Sequence, residues 1–484
     1  MAYLAESRLL INGKWIDPEG DRWSEVRNPA TGEVIGRAAC ATAAQVDQAV
    51  AAARAAFPGW AALPARERGR LLERVREKVA ERQEEIARLI TLENGKPLKD
   101  ARGEVGWTME LLRFYAAEAE RVAGTVPPAY QANRRSLVIW QPVGVVAAIT
   151  PWNFPVDLMS WKLAPALAAG CTVVAKPAPN TPLAAALFAE CFRAAGIPPG
   201  VVNFVTGGVE VGQALVRHPQ VDKVSFTGST QVGKQIMASA AEHLAKVTLE
   251  LGGHAPVIIC DDADLDKAIP YTLRRSFSHA GQICHSINHI LVHKAIAEEY
   301  IERFVAAARR LRVGDGLQVP DADLGPMATP EVLQKVEEHV RDALEKGATL
   351  LLGGHRLTEP PYDRGLFYAP TVLTGITPEM RIAREETFGP VAPITVVRDD
   401  EEALALANST AYGLVAYLFT RSLDRAFRLA ERLEAGTVGV NNCATVQLNA
   451  PYGGWKQSGL GVELGPEGIR EYLRLKHVAI ELDR

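Results

Sequence analysis

From residue 143 onward, short runs that are apolar on both faces alternate with longer stretches at helical spacing, and this alternation constrains the fold more than any other feature. The runs 143–149, 171–175, 201–205 and 223–226 are separated by predicted helices at 160–169, 182–195, 209–217 and 230–245. A strand apolar on both faces has to be covered on both, and strands joined through helices pair in parallel. The region is therefore expected to be a doubly wound α/β layer. A second series follows, with strands at 257–260, 290–292, 349–352, 371–372, 392–397 and 438–440. Its helices fall at 264–278, 295–311, 331–346, 400–408 and 422–434, and the break between the two series lies near Gly252-Gly253.

Upstream, Leu71, Leu72, Val75, Val79, Ile86, Leu89 and Ile90 give residues 65–93 the stripe of one amphipathic helix, stopped by Gly95. Two exposed strand-like runs, 136–141 and 472–482, have no obvious partners nearby. They suit a hairpin and a C-terminal strand that pair elsewhere, across a subunit interface.

At 484 residues the chain is long enough for about three units. A net charge of −4 and the absence of any Lys/Arg block argue against nucleic acid as a partner. No apolar run approaches the ~20 residues that span a bilayer, and the N-terminus lacks a signal pattern, so no membrane association is expected. The six cysteines show no CxxC spacing. They read as reduced thiols of a cytoplasmic protein, with no metal site.

Several residues have the chemistry of a site, each beside a plainer reading. Cys284 follows Gly281 in a turn before the strand at 290, where a thiol is accessible, although a lone cysteine is usually a small buried hydrophobe. His279, His285 and His289 lie close in sequence, but surface or core positions are the default for each. Glu250 ends an apolar strand beside Gly252-Gly253, a place from which a general base can reach a reaction centre; the plain alternative is a solvent-facing carboxylate. Asn153, held between Pro151 and Pro155, presents a fixed amide suited to an oxyanion, or else closes an Asx turn. Phe226-Thr227-Gly228-Ser229-Thr230 leads from a strand into a helix whose free N–H groups can hold a pyrophosphate. Neither it nor Gly207-Gly208-x-x-x-Gly212 is a GxGxxG fingerprint. Lys176, at a strand end, reaches a ribose or phosphate or is simply solvated.

Together with Lys176-Pro177-Ala178, Glu386-Thr387-Phe388-Gly389-Pro390 and Pro451-Tyr452-Gly453-Gly454, these segments stand in an order that resembles the aldehyde dehydrogenase superfamily, from about Leu10 to the C-terminus. The resemblance implies an α/β fold of three parts. A Rossmann-like cofactor domain would comprise 1–120 and 142–251, an α/β catalytic domain 252–457, and a small β oligomerisation element 121–141 and 470–484. It implies NAD(P)-dependent oxidation of an aldehyde to its acid. Cys284 would form the thiohemiacetal and then a thioester, Asn153 and the Cys284 N–H would hold the oxyanion, and Glu250 would activate water. Lys162 and Glu463 would assist the proton path. The cofactor would lie along Thr150, Pro151, Trp152, Lys176, Pro179, Gly208, Gly212, Phe226, Gly228, Ser229, Val232, Leu251 and Gly252, with Glu386 on the nicotinamide ribose and Phe388 beside its ring. Glu250 favours hydrolysis over transfer to coenzyme A. Edge strands pairing between subunits would give a homodimer or homotetramer.

Two departures from the family pattern carry weight. Pro179 stands where NAD-preferring relatives have a carboxylate, so NADP is acceptable beside NAD, with NAD slightly favoured. The overall match is similar to succinate-semialdehyde dehydrogenases, whose carboxylate-clamping arginines are replaced here by Trp161 and Ser278. Burying a carboxylate without a cation is costly. The inferred tunnel of Phe154, Leu158, Trp161, Ser278, Ile283, His285, Val446 and Tyr452 is mostly apolar and suits a neutral aliphatic or aromatic aldehyde. The alternatives are succinic semialdehyde as substrate or, outside this class, a cofactor-independent cysteine esterase.

Overall fold

The structure is a computed structural model that describes residues 5–483. The first apolar series forms the middle of an eight-stranded sheet. Val145–Ile149, Thr172–Lys176 and Val202–Phe204 lie side by side in parallel, while Lys223–Thr227 and Lys246–Glu250 extend the sheet from the other side of Val145–Ile149. Chain order thus reverses between Val145–Ile149 and Lys223–Thr227. At such a switch point the loops leaving adjacent strands diverge and open a crevice at their carboxyl ends. The inner strands carry no alternation because helices such as Asp157–Ala169 and Pro182–Ala194 cover the sheet, and both helices are buried nearly throughout.

The second series forms a seven-stranded sheet ordered Thr349–Leu352, Thr371–Thr374, Val391–Val397, Ile287–His293, Ala255–Ile259, Val415–Phe419 and Thr437–Val440. Only Thr349–Leu352 runs antiparallel to its neighbour. Val415–Phe419, which the sequence reading passed over, is an interior strand buried on both faces, so it gives no period-two signal.

Three further expectations change. The single helix at 65–93 is two, Ala65–Glu81 and Gln83–Asn94, because the backbone at Arg82 (φ −117°, ψ 14°) leaves the helical region. Helices Ala43–Ala62 and Leu98–Glu118, and the strands within residues 5–39, were not anticipated. The two exposed strand-like runs find each other: Arg134–Pro142 and Leu473–Glu481 form an antiparallel ribbon from Leu473 opposite Pro142 to Glu481 opposite Arg134. Leu137, Ile139, Leu475 and Ile480 on this ribbon stay exposed. Among the described residues, no helix is long and apolar enough to cross a membrane.

Candidate active site

The site lies where one sheet hands the chain to the other. Lys246–Glu250 ends the first sheet, and Ala255–Ile259 begins in the second after only four residues. Ala255 pairs with Ile287, so the turn carrying Cys284 stands beside this link. Gly253 makes the approach possible: a Cβ there would lie 2.3 Å from the Cys284 carbonyl oxygen. His279, Ala280 and Gly281 all have positive φ (51°, 53° and 72°), a sharp left-handed bend just before Cys284, which is half-buried. The Gln282 amide fastens this bend, donating to His279 O at 3.0 Å and accepting from Ala328 N at 2.9 Å.

Cys284 Sγ lies 3.5 Å from Tyr452 Oη and 3.6 Å from His285 Nδ1. Burial, with the charges of Glu250 and Glu386, pushes the thiol well above its ordinary pKa. Glu250 is buried, not solvent-facing, and neither of its oxygens has a well-formed hydrogen bond among the described residues. Desolvation first, and the Glu463 charge second, raise its carboxyl to about 7. Lys162, the Cys284 thiol and Thr227 act in the opposite direction. Lys162 Nζ donates to Thr227 Oγ1 and Glu463 Oε1, each at 2.7 Å, forming a fully buried polar chain beside Glu250. Asn153 is buried too and donates to Gln282 O at 3.0 Å, which aims its amide at the Cys284 turn.

A cavity of about 460 Å³ opens onto Cys284. Phe154, Leu158, Trp161, Ser278, Ile283, His285 and Val446 line it as expected from the tunnel reading. Tyr452 instead sits behind the sulfur, edge-on to Trp161. The premise of a tunnel without cations does not hold, since Lys96, Lys99, Arg274 and Arg275 also line the cavity. Lys96 is committed to Glu104 and lies over the Phe154 ring, and Lys99 is paired with Asp323. No carboxylate among the described residues forms an ion pair with Arg275. It donates to His285 Nε2 at 2.6 Å and to Cys443 O at 2.9 Å. His285 thus faces the sulfur, against the default reading for it, whereas His279 and His289 are buried without touching it. Arg275 and Glu104 were missed, and so was the bond of Thr227 to Lys162. Each of these is an ordinary residue of a helix or strand, nine to 180 positions from Cys284, and only packing brings it in.

Two neighbouring helices start at the carboxyl ends of strands of the first sheet. Ser229 caps the helix Thr230–Ala240, accepting from Val232 N, while Gly208 starts Val209–Arg217 with no side-chain cap. Val209 and Val232 expose apolar surface at the starts of these neighbouring helices. Lys176 is buried, not solvated; its stem passes Gly212, where a Cβ would lie 3.7 Å from Cε, and burial lowers its pKa to about 8. Phe226 packs over Gly228, and Gly233 leaves room for Leu251. Toward Cys284, Glu386 Oε1 accepts from Gly253 N at 2.9 Å beside Gly252, and Phe388 (φ 58°) meets Trp152 edge-on at 5.5 Å. Thr150 is buried next to Pro151 and its hydroxyl has no partner among the described residues, whereas Pro179 is exposed.

The model of the aldehyde dehydrogenase family matches residues 15–478. The chain is 46% identical to the mitochondrial succinate-semialdehyde dehydrogenase of Arabidopsis thaliana over 479 residues, covering 99% of this chain and 90% of that one. It is similar to the crystal structure of an E. coli NADP-dependent enzyme, with TM-score 0.96, 43% identity and 99% of each chain covered. It is also similar to the betaine aldehyde dehydrogenase of Staphylococcus aureus in complex with NAD+, with TM-score 0.96, 36% identity, and 98% and 94% covered. The chain belongs to the aldehyde dehydrogenase family and has its α/β fold. It is an oxidoreductase acting on aldehydes with NAD or NADP.

Proposed function

We propose that the chain oxidises a small aldehyde with an uncharged tail to the free acid, with Cys284 as nucleophile and Glu250 as general base. The observation that carries this reading is a thiol and an aimed amide on one cavity wall, with a buried carboxyl of pKa about 7 close against the thiol. A base poised near neutral pH is ionised often enough to take a proton and basic enough to hold it. Cys284 adds to the aldehyde carbon, and the Asn153 amide with the Cys284 N–H stabilises the resulting oxyanion. After oxidation Glu250 takes a proton from water as it attacks the thioester. The chain of Thr227, Lys162 and Glu463 leads that proton from the buried site.

The start of Thr230–Ala240 would hold the pyrophosphate of a dinucleotide, Lys176 and Glu386 would hold its riboses, and Phe388 would flank the nicotinamide, which would accept the hydride. We place the chain in the cytoplasm because all six cysteines are free. The exposed apolar side chains Leu137, Ile139 and Ile480, on one face of the ribbon Arg134–Pro142 with Leu473–Glu481, support assembly into a homodimer or homotetramer.

Phe154, Leu158, Trp161 and Val446 support the uncharged tail. A second reading is a substrate such as succinic semialdehyde, favoured by Arg275 on the cavity wall without a carboxylate and by the Arabidopsis relative's name. Absorbance at 340 nm, with benzaldehyde, hexanal and succinic semialdehyde each against NAD and NADP, decides between them. Turnover of the neutral aldehydes above the semialdehyde supports the first reading; the reverse order assigns the cavity to an anionic tail. A Cys284→Ala variant that still oxidises aldehyde would remove the nucleophile assignment.

A further inference from the structure

Three side chains lead from the cavity wall to the nucleophile: Arg275, His285 and Tyr452. Arg275 Nη1 lies 2.6 Å from His285 Nε2. A guanidinium has only donors, so Nε2 must accept with its lone pair, and the single ring proton of a neutral imidazole then sits on Nδ1. Nδ1 faces Cys284 Sγ at 3.6 Å and Tyr452 Oη at 3.3 Å, and Tyr452 Oη is itself 3.5 Å from the sulfur. Whether the Nδ1 proton goes to the sulfur directly or through the tyrosine hydroxyl, the donors end on Sγ.

We propose that Arg275 is a positioning residue that fixes His285 as its Nδ1–H tautomer, making His285 a catalytic residue that, with Tyr452, donates to the Cys284 thiolate. This rests on the assignment of Cys284 as nucleophile. The surroundings hold the geometry at every point. Arg275 is anchored by Cys443 O at 2.9 Å, and Ser286 Oγ donates to Arg275 O at 2.9 Å, tying the helix Leu265–Phe277 to the turn. Tyr417 Oη donates to His285 O at 2.8 Å. Burial, and then the adjacent Arg275 charge, hold His285 far below its ordinary pKa, so it stays neutral and cannot offer a second proton toward Arg275.

The thiol requires such donors. The groups that face it are Glu250, Glu386, Tyr452, His285 and, behind them, Tyr417 and Arg275. Both carboxylates and the burial oppose ionisation; the Tyr452 hydrogen bond favours it, as does any N–H donor aimed at the sulfur. The arrangement also accounts for an arginine on the cavity wall with no carboxylate, since its hydrogen bonds go to His285 and a main-chain carbonyl.

The test is the pH dependence of Cys284 alkylation by iodoacetamide in the full-length enzyme, without aldehyde or cofactor, read by peptide mass. Arg275→Met is expected to move the profile up by about one pH unit, a roughly tenfold loss of thiolate below the thiol pKa. Arg275→Lys, which keeps a donor, should restore most of it, and His285→Phe should move it as far as Arg275→Met. Arg275→Met added to His285→Phe should then shift it little further; two variants that act by loss of charge or by general loosening would add. An unmoved profile in both single variants, or full additivity in the double variant, overturns the proposal. So does a KM increase in Arg275→Met confined to succinic semialdehyde, which would assign the guanidinium to the substrate. If Arg275→Met does not fold, His285→Phe alone still decides, because a wild-type profile there leaves the histidine no role at the sulfur. Failure of the underlying reading looks different: Cys284→Ala would retain aldehyde oxidation.

Discussion

Replacing Glu250 by Gln should stabilise the enzyme while abolishing turnover, and the stabilisation should depend on pH. The carboxyl is 2% exposed, its oxygens lack good hydrogen bonds, and its pKa rises from 4.5 to about 7 on folding. A raised carboxyl pKa means that the folded state holds a proton the unfolded chain has released. The folded state therefore loses stability as pH rises from about 4.5 and bears the full penalty above about 7. At ~1.36 kcal/mol per unit, that penalty is roughly 3 kcal/mol at pH 8 and under about 1 kcal/mol at pH 5. Glu250→Gln removes the charge and keeps the shape, so its advantage over wild type should shrink by about 2 kcal/mol between these pH values. Chemical-denaturation midpoints of the two proteins, at equal concentration and both pH values, measure this directly. An advantage of the same size at pH 5 and pH 8, or none at either, would refute the view of Glu250 as a desolvated base. The same variant should accumulate the acyl-enzyme, visible as an added mass on Cys284, and wild-type turnover should fall about tenfold per pH unit below about 7.

Other outcomes follow from neighbouring contacts. Glu463→Gln removes the charge that most raises the Glu250 carboxyl and leaves Lys162 beside it, so the acid limb of the rate profile should move down by about one unit. Asn153→Ala should lower kcat by about 10²-fold or more while leaving iodoacetamide alkylation of Cys284 nearly unchanged, because its amide acts on the oxyanion and not on the thiol. Gly253→Ala would set a Cβ 2.3 Å from the Cys284 carbonyl. Its backbone shift should cost about 1–3 kcal/mol in unfolding and reduce alkylation and turnover together.

The sequence by itself determined the elements that repeat and the residues whose chemistry is unusual for their place. Strands apolar on both faces, separated by helices, leave little but a doubly wound layer, and the five parallel strands of the first sheet follow it, while Leu9–Ile11, Lys14–Ile16 and Gly459–Leu460 join it from outside the pattern. The order of the Asn153, Glu250 and Cys284 segments was legible because each interrupts a regular element with Pro or Gly beside a polar side chain. Only the tertiary structure decided what surrounds them. Val415–Phe419 is invisible to periodicity because both its faces are buried. The partnership of Arg134–Pro142 with Leu473–Glu481 spans more than 300 residues, and no local pattern encodes such a pairing. Glu250 could be read as a strand-end carboxylate, but its pKa depends on Glu463, Lys162 and Thr227, which arrive from other elements. Arg275 looked like one more charge on an amphipathic helix. Its contact with His285 arises from how that helix packs against the Cys284 turn. Ionisation and hydrogen bonding act over a few ångströms in space, so they are set by neighbours that the chain brings together only when folded.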